Sequence, residues 1–125
     1  MTVHSDIYSE TGYKIDRKRI RQGISDLLSG MGIYTDVELS VVFAGERKMR
    51  ELHKKHLGSD EVTDVISFPL EEGVFPDGVL RLGDIVICYP VAVKQAADKN
   101  IMVDDEIQFL AEHWCRHLLG IHHEL

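Results

Sequence analysis

The sequence predicts an α/β (α+β) fold, a single mixed sheet of about four strands packed with about four helices. Two observations carry the prediction. Short β-branched, apolar stretches alternate along the chain with stretches in which apolar residues recur every three or four positions. Helices of the second kind need a sheet or another helix on which to bury their apolar stripe. With 125 residues, the chain can enclose a core without disulfide support, and residues 1–125 are expected to form one domain.

"VHSDIYS" near the start reads as a first strand. From Asp16, which can cap a helix, Ile20, Ile24, Leu27, Leu28 and Met31 recur at helical spacing, and Gly30 and Gly32 stand where that helix would stop. "VELSVVFA" has the β-branched, apolar character of a buried strand ending at Gly45, and "ERKMRELHKKH" follows as a second helix. After the loop "LGSDEVTD", a short strand "DVISFPL" is joined to "LRLGDIVICY" through the turn-rich "EEGVFPDGV". Pro90 opens a third helix through "VAVKQAADKN". The last helix begins near Asp104, where Asp104, Asp105 and Glu106 suit the positive end of the helix dipole, and Gly120 is expected to end it.

The formal net charge is −7, yet residues 1–55 carry ten basic against eight acidic side chains, whereas residues 56–125 carry four against thirteen. The N-terminal half can therefore offer a polyanion a local basic face, although such runs are commonly no more than solvated helix surfaces. Cys88 and Cys115 have no C-x-x-C spacing and follow no secretory leader, which suits a reducing cytoplasm. No apolar run approaches the ~20 residues that span a bilayer, so no membrane association is expected.

Four of the seven histidines lie in the last fifteen residues, "AEHWCRHLLGIHHEL". At about 100° per residue from Ile107, a core face forms from Ile107, Leu110, Ala111, Trp114 and Leu118, with His113 and His117 on its shoulder near roughly 240° and 280°. Four residues apart, their Cβ atoms would lie about 5 to 6 Å from each other, close enough for two imidazoles to meet one ion. A turn at Gly120 could bring a third histidine back to the pair, and geometry leaves open whether that is His122 or His123. Three imidazoles with an open fourth position describe a catalytic zinc site. The plain alternative is two solvated histidines on a helix shoulder.

These residues resemble the YbeY family of bacterial endoribonucleases, which take part in ribosomal RNA maturation. "HWCRHLLGIHH" lines up without a gap on that family's H-G-x-L-H-L-x-G-Y-D-H, "LHKKHLGSDEVTDVISFPL" on L-N-x-x-Y-R-x-x-D-x-P-T-D-V-L-S-F-P, and "LGDIVICYPVAVKQA" on the L-G-D-I-x-I strand and the helix after it. The resemblance implies one zinc ion held by His113, His117 and His123, with His122 in the place of the signature aspartate. It implies zinc-dependent cleavage of single-stranded RNA through metal-bound water, in small-subunit rRNA processing and ribosome quality control. The partners it implies are rRNA or ribosomal subunits, not DNA.

Four positions depart from the family pattern. Trp114 replaces a glycine and is expected to crowd the core face, Arg116 replaces a leucine opposite the core, and His122 replaces the aspartate. Leu57 stands where the family has an arginine for RNA phosphate, and a leucine cannot supply charge-assisted bonds. Lys54 and Lys55 are the nearest cations in sequence that could substitute. Two other readings therefore compete: a relative that binds RNA or the ribosome without cleaving, and a metalloprotease. The second needs a glutamate directly after the first histidine, where Trp114 stands.

Overall fold

The computed structural model describes residues 2–10, 12–59, 61–70 and 77–123, with side chains up to residue 120. Its elements run β1 (Val3–Ser9), α1 (Arg17–Gly30), β2 (Asp36–Ala44), α2 (Glu46–Leu57), β3 (Val65–Pro69), β4 (Val79–Cys88), α3 (Tyr89–Lys99) and α4 (Val103–His123). The four strands form one sheet in the order β1-β2-β4-β3. β1, β2 and β4 are parallel and β3 pairs antiparallel with β4, so the sheet is mixed, as expected. Most of the turn segment between β3 and β4, residues 71–76, lies outside the described residues.

The parallel pairs follow from the connections, because a strand that returns parallel to its neighbour needs a crossover, and α1 and α2 supply them. Asp16 caps α1, its Oδ1 accepting the Arg19 N–H at 3.1 Å. The helix ends after Gly30, and Gly32 adopts φ +77° while the Ile33 N–H closes on the Leu28 carbonyl. Ile20, Ile24 and Leu28 form its buried stripe. Pro90 lies in the first turn of α3, where its missing N–H costs no helical bond.

The sheet is covered on both faces. Val37, Leu39, Val41 and Phe43 of β2, with Leu80, Leu82, Ile85 and Ile87 of β4, pack against α1 and α4. The alternate residues Val42, Ala44, Ile66, Val86 and Cys88 pack against Met49 and Leu52 of α2. In β4 the core-facing residues switch from 80 and 82 to 85 and 87, which strict alternation forbids. A bulge resolves this: the register slips so that Glu38 faces Arg81 and Leu39 faces Gly83. Gly83 takes φ +126°, and a Cβ there would collide with the Phe68 carbonyl oxygen, so only glycine fits.

α1 and α4 lie side by side, and Gly23 sets how closely: a Cβ at that position would meet Gln108 and Glu112. Arg19 adds a surface ion pair to Asp105 at 2.7 Å. α3 is pinned to α4 by Lys99, whose Nζ donates at 2.8 Å to Oε1 of the fully buried Glu106. One expectation is corrected here. Gly120 does not end α4 or turn the chain; its φ is not positive, and the helix continues to His123. Glycine inside a helix costs only about 1 kcal/mol relative to alanine, and the buried Leu118 and Leu119 seat the last turns on the core.

Candidate functional site

α4 buries Ile107, Leu110, Ala111, Cys115, Leu118 and Leu119, and that stripe fixes where its histidines go. His113 and His117 are both exposed, one turn apart beside the stripe. Neither ring has a hydrogen-bond partner among the described residues, so their nitrogens are available to a ligand. That suits zinc, which takes neutral imidazole nitrogen. The side chains of His122 and His123 lie outside the described residues, and among the described residues no group of three metal-ligating side chains forms.

Trp114 is not where the helical wheel put it. Cys115 occupies the fully buried position, and Trp114 is half-buried at the margin of the core. The reason is volume: a thiol fits beneath the helix next to Ala111, and the indole slides to the rim. There it stands edge-on to both imidazoles, with ring centroids 5.8 Å from His113 and 5.1 Å from His117. His113 also stacks on Phe109 at 5.6 Å. The result is an aromatic wall around the pair, a favourable geometry for π systems. Phe109, Glu112, His113 and Arg116 line a cavity of about 190 Å³ on the outer side of the helix. Arg116 is exposed, as its place opposite the core required.

Cys115 lies between the two histidines in sequence but takes no part in the site. Burial, reinforced by Glu112, pushes its thiol up to about 12, which keeps it protonated and a poor metal ligand.

Leu57 closes α2 and is 59% exposed. Lys54 and Lys55 are exposed in the same last turn. α2 covers the sheet face opposite α4, so the structure does not set these lysines beside His113 and His117. His53 escaped the sequence reasoning. It is buried under the loop after α2, with Nδ1 2.9 Å from the Ser59 carbonyl and Nε2 3.8 Å from Glu61. Its place on the family asparagine was the available signal, since both side chains can bond a loop backbone. Asp64 secures the end of that loop: its Oδ1 accepts the Val65 N–H, its Oδ2 accepts from Gln95, and its carbonyl accepts the Cys88 N–H at 2.8 Å.

A mixed four-stranded sheet, with a histidine pair exposed on the helix that closes one of its faces, defines the class. The family model described as Endoribonuclease YbeY matches residues 6–125, and the chain belongs to that family. It is 39% identical to the endoribonuclease YbeY of Syntrophus aciditrophicus over 115 residues, 89% of this chain and 69% of that one. With the Thermus thermophilus protein of the same name it shares 36% over 106 residues, 85% and 76% of the two chains. A Thermotoga maritima protein solved in solution has the same fold, with a TM-score of 0.65 at 24% identity over 93% of this chain and 72% of that one. Among the described residues no helix is long and apolar enough to cross a membrane.

Proposed function

We propose that the chain is a metal-dependent endoribonuclease that cuts single-stranded RNA in the maturation of small-subunit rRNA and in ribosome quality control, acting in the cytoplasm on rRNA or ribosomal subunits. The observation that carries this is the pair His113 and His117, set one helical turn apart with free ring nitrogens, in a chain of this family. His113 and His117 would supply two imidazoles to one zinc ion, which when bound supplies Lewis acidity and a water ionisable near neutral pH; because α4 runs on as helix through His123, that residue would join them as third ligand only with the last turn unwound after Gly120. The chain's own contribution is positional. Leu118 and Leu119 fix the helix, Trp114 stands against both imidazoles and Phe109 against that of His113, and Arg116 offers a guanidinium beside His113 for phosphate oxygens. Zinc-loaded protein should cleave an unstructured RNA, and His117→Ala should reduce that cleavage by at least about a hundredfold.

Exposed Leu57 favours a second reading, a relative that binds RNA or the ribosome without turnover, because no guanidinium is present there to meet the phosphate. Binding without cleavage above the His117→Ala control would select it.

A further inference from the structure

We propose that the outer face of α1, along the free edge of β1, is a second contact for single-stranded RNA that grips its phosphate backbone; the identity of the polyanion rests on the endoribonuclease reading. β1 is an edge strand. The Nε–H groups of Arg21 and Arg17 donate to its Ser5 and Ile7 carbonyls at 3.2 and 3.5 Å. These bonds fix the planes of two guanidiniums four residues apart, about 6 Å along the axis, comparable to the step between neighbouring phosphates. Their terminal nitrogens have no acceptor among the described residues.

Lys18 lies between the two arginines and Lys14 precedes them, all four exposed and none paired with a carboxylate among the described residues. Asp16 caps the helix, Asp26 accepts from Gln22 at 2.9 Å, and Asp105 neutralises Arg19, while the exposed Asp6 of β1 faces the other side of the sheet with Glu38 and Asp84. Lys18 and Arg21, with Val3, Gln22 and Ser25, line a groove of about 280 Å³. The surface is thus cationic on a chain of net charge −7. Fixed guanidinium forks suit phosphate oxygens better than mobile ammonium groups. Contacts of this kind read no sequence; they favour long, unpaired strands.

The test is the salt dependence of binding to a long fluorescent oligouridylate, with cleavage of the same RNA measured separately. Each phosphate contact to a single strand contributes about 0.7 to the slope of log affinity on log salt. Joint replacement Arg17→Gln, Lys18→Gln and Arg21→Gln should therefore lower the slope by about 2 and affinity about tenfold. Lys18→Glu alone makes no bond in the fold to lose, and should lower the slope by about 0.7, which separates charge from any loosening of β1. Cleavage with unchanged slopes in both variants would overturn the α1 contact and leave the nuclease standing. Reduced slopes without any cleavage would remove the nuclease and keep the contact. Weakened binding to phosphatidylserine vesicles, with RNA slopes unchanged, would overturn the proposal in favour of a lipid surface.

Discussion

The indole of Trp114 meets the imidazole of His117 edge to face, with centroids 5.1 Å apart and planes 72° from parallel. Trp114 is the only tryptophan in the chain, so its emission reports on that ring and on His113 without labelling. Adding zinc to metal-free protein should change the emission saturably, and a chelator should reverse the change. His117→Ala and His113→Ala should each abolish it. A titration indifferent to both substitutions would mean that the pair does not bind the metal.

The position of Trp114 at the core margin sets what Trp114→Gly should do. In a crowded core the glycine would relieve strain; at the margin it removes a half-buried aromatic and loosens the helix. The expected cost is about 2 to 3 kcal/mol, roughly half that of deleting a fully buried tryptophan plus the glycine penalty. Chemical denaturation measures it, and an unchanged midpoint would restore the crowding account.

Leu57→Arg should strengthen RNA binding by up to about tenfold without raising the single-turnover rate, because α2 covers the sheet face opposite the histidines. The side chain at 57 is exposed, so a longer one meets no steric obstacle, and a guanidinium can pair with backbone phosphate. Affinity and single-turnover rate on one RNA decide it; a raised rate would show that position 57 reaches the reacting phosphate.

Cys115 makes stability sensitive to alkali. Its thiol is raised from about 9 to about 12 in the folded protein, chiefly by burial. The folded state therefore keeps a proton that the unfolded state loses, and stability must fall as pH rises through this window. Three units correspond to about 4 kcal/mol at most. Cys115→Ala, which cannot ionise, should flatten the decline in midpoint between those two limits. The native thiol should also resist alkylation at pH 8, reacting only after unfolding.

Most of the fold was legible because local chemistry and tertiary packing agree. Asp16, Gly45, Pro90 and the apolar stripes of α1 and α4 each state a boundary or a face that the sheet then uses. Gly120 misled, because a glycine stops a helix only when left-handed geometry and capping bonds accompany it, and neither is visible in a residue type. Trp114 misled through the coarseness of an ideal wheel: a rotation of a few tens of degrees exchanges it with Cys115, and only the volumes beneath the helix decide between them. The histidine pair was legible from spacing. The contacts of Arg17 and Arg21 with β1 were not, since nothing in one sequence says which strand lies at an edge.

The bulge at Gly83 has a consequence for how β4 tolerates change. Residues before it and after it are read in two different phases, so the strand behaves like a message containing a frameshift. Deleting Gly83 would put both halves back in one phase. Asp84 would then follow Leu82 directly and still face outward beside Ser40, the residue whose hydroxyl now donates to it, and Ile85 would still face the core. Straightening the strand with Gly83 retained would instead turn Asp84 inward and Ile85 outward, inverting half a strand at unchanged length.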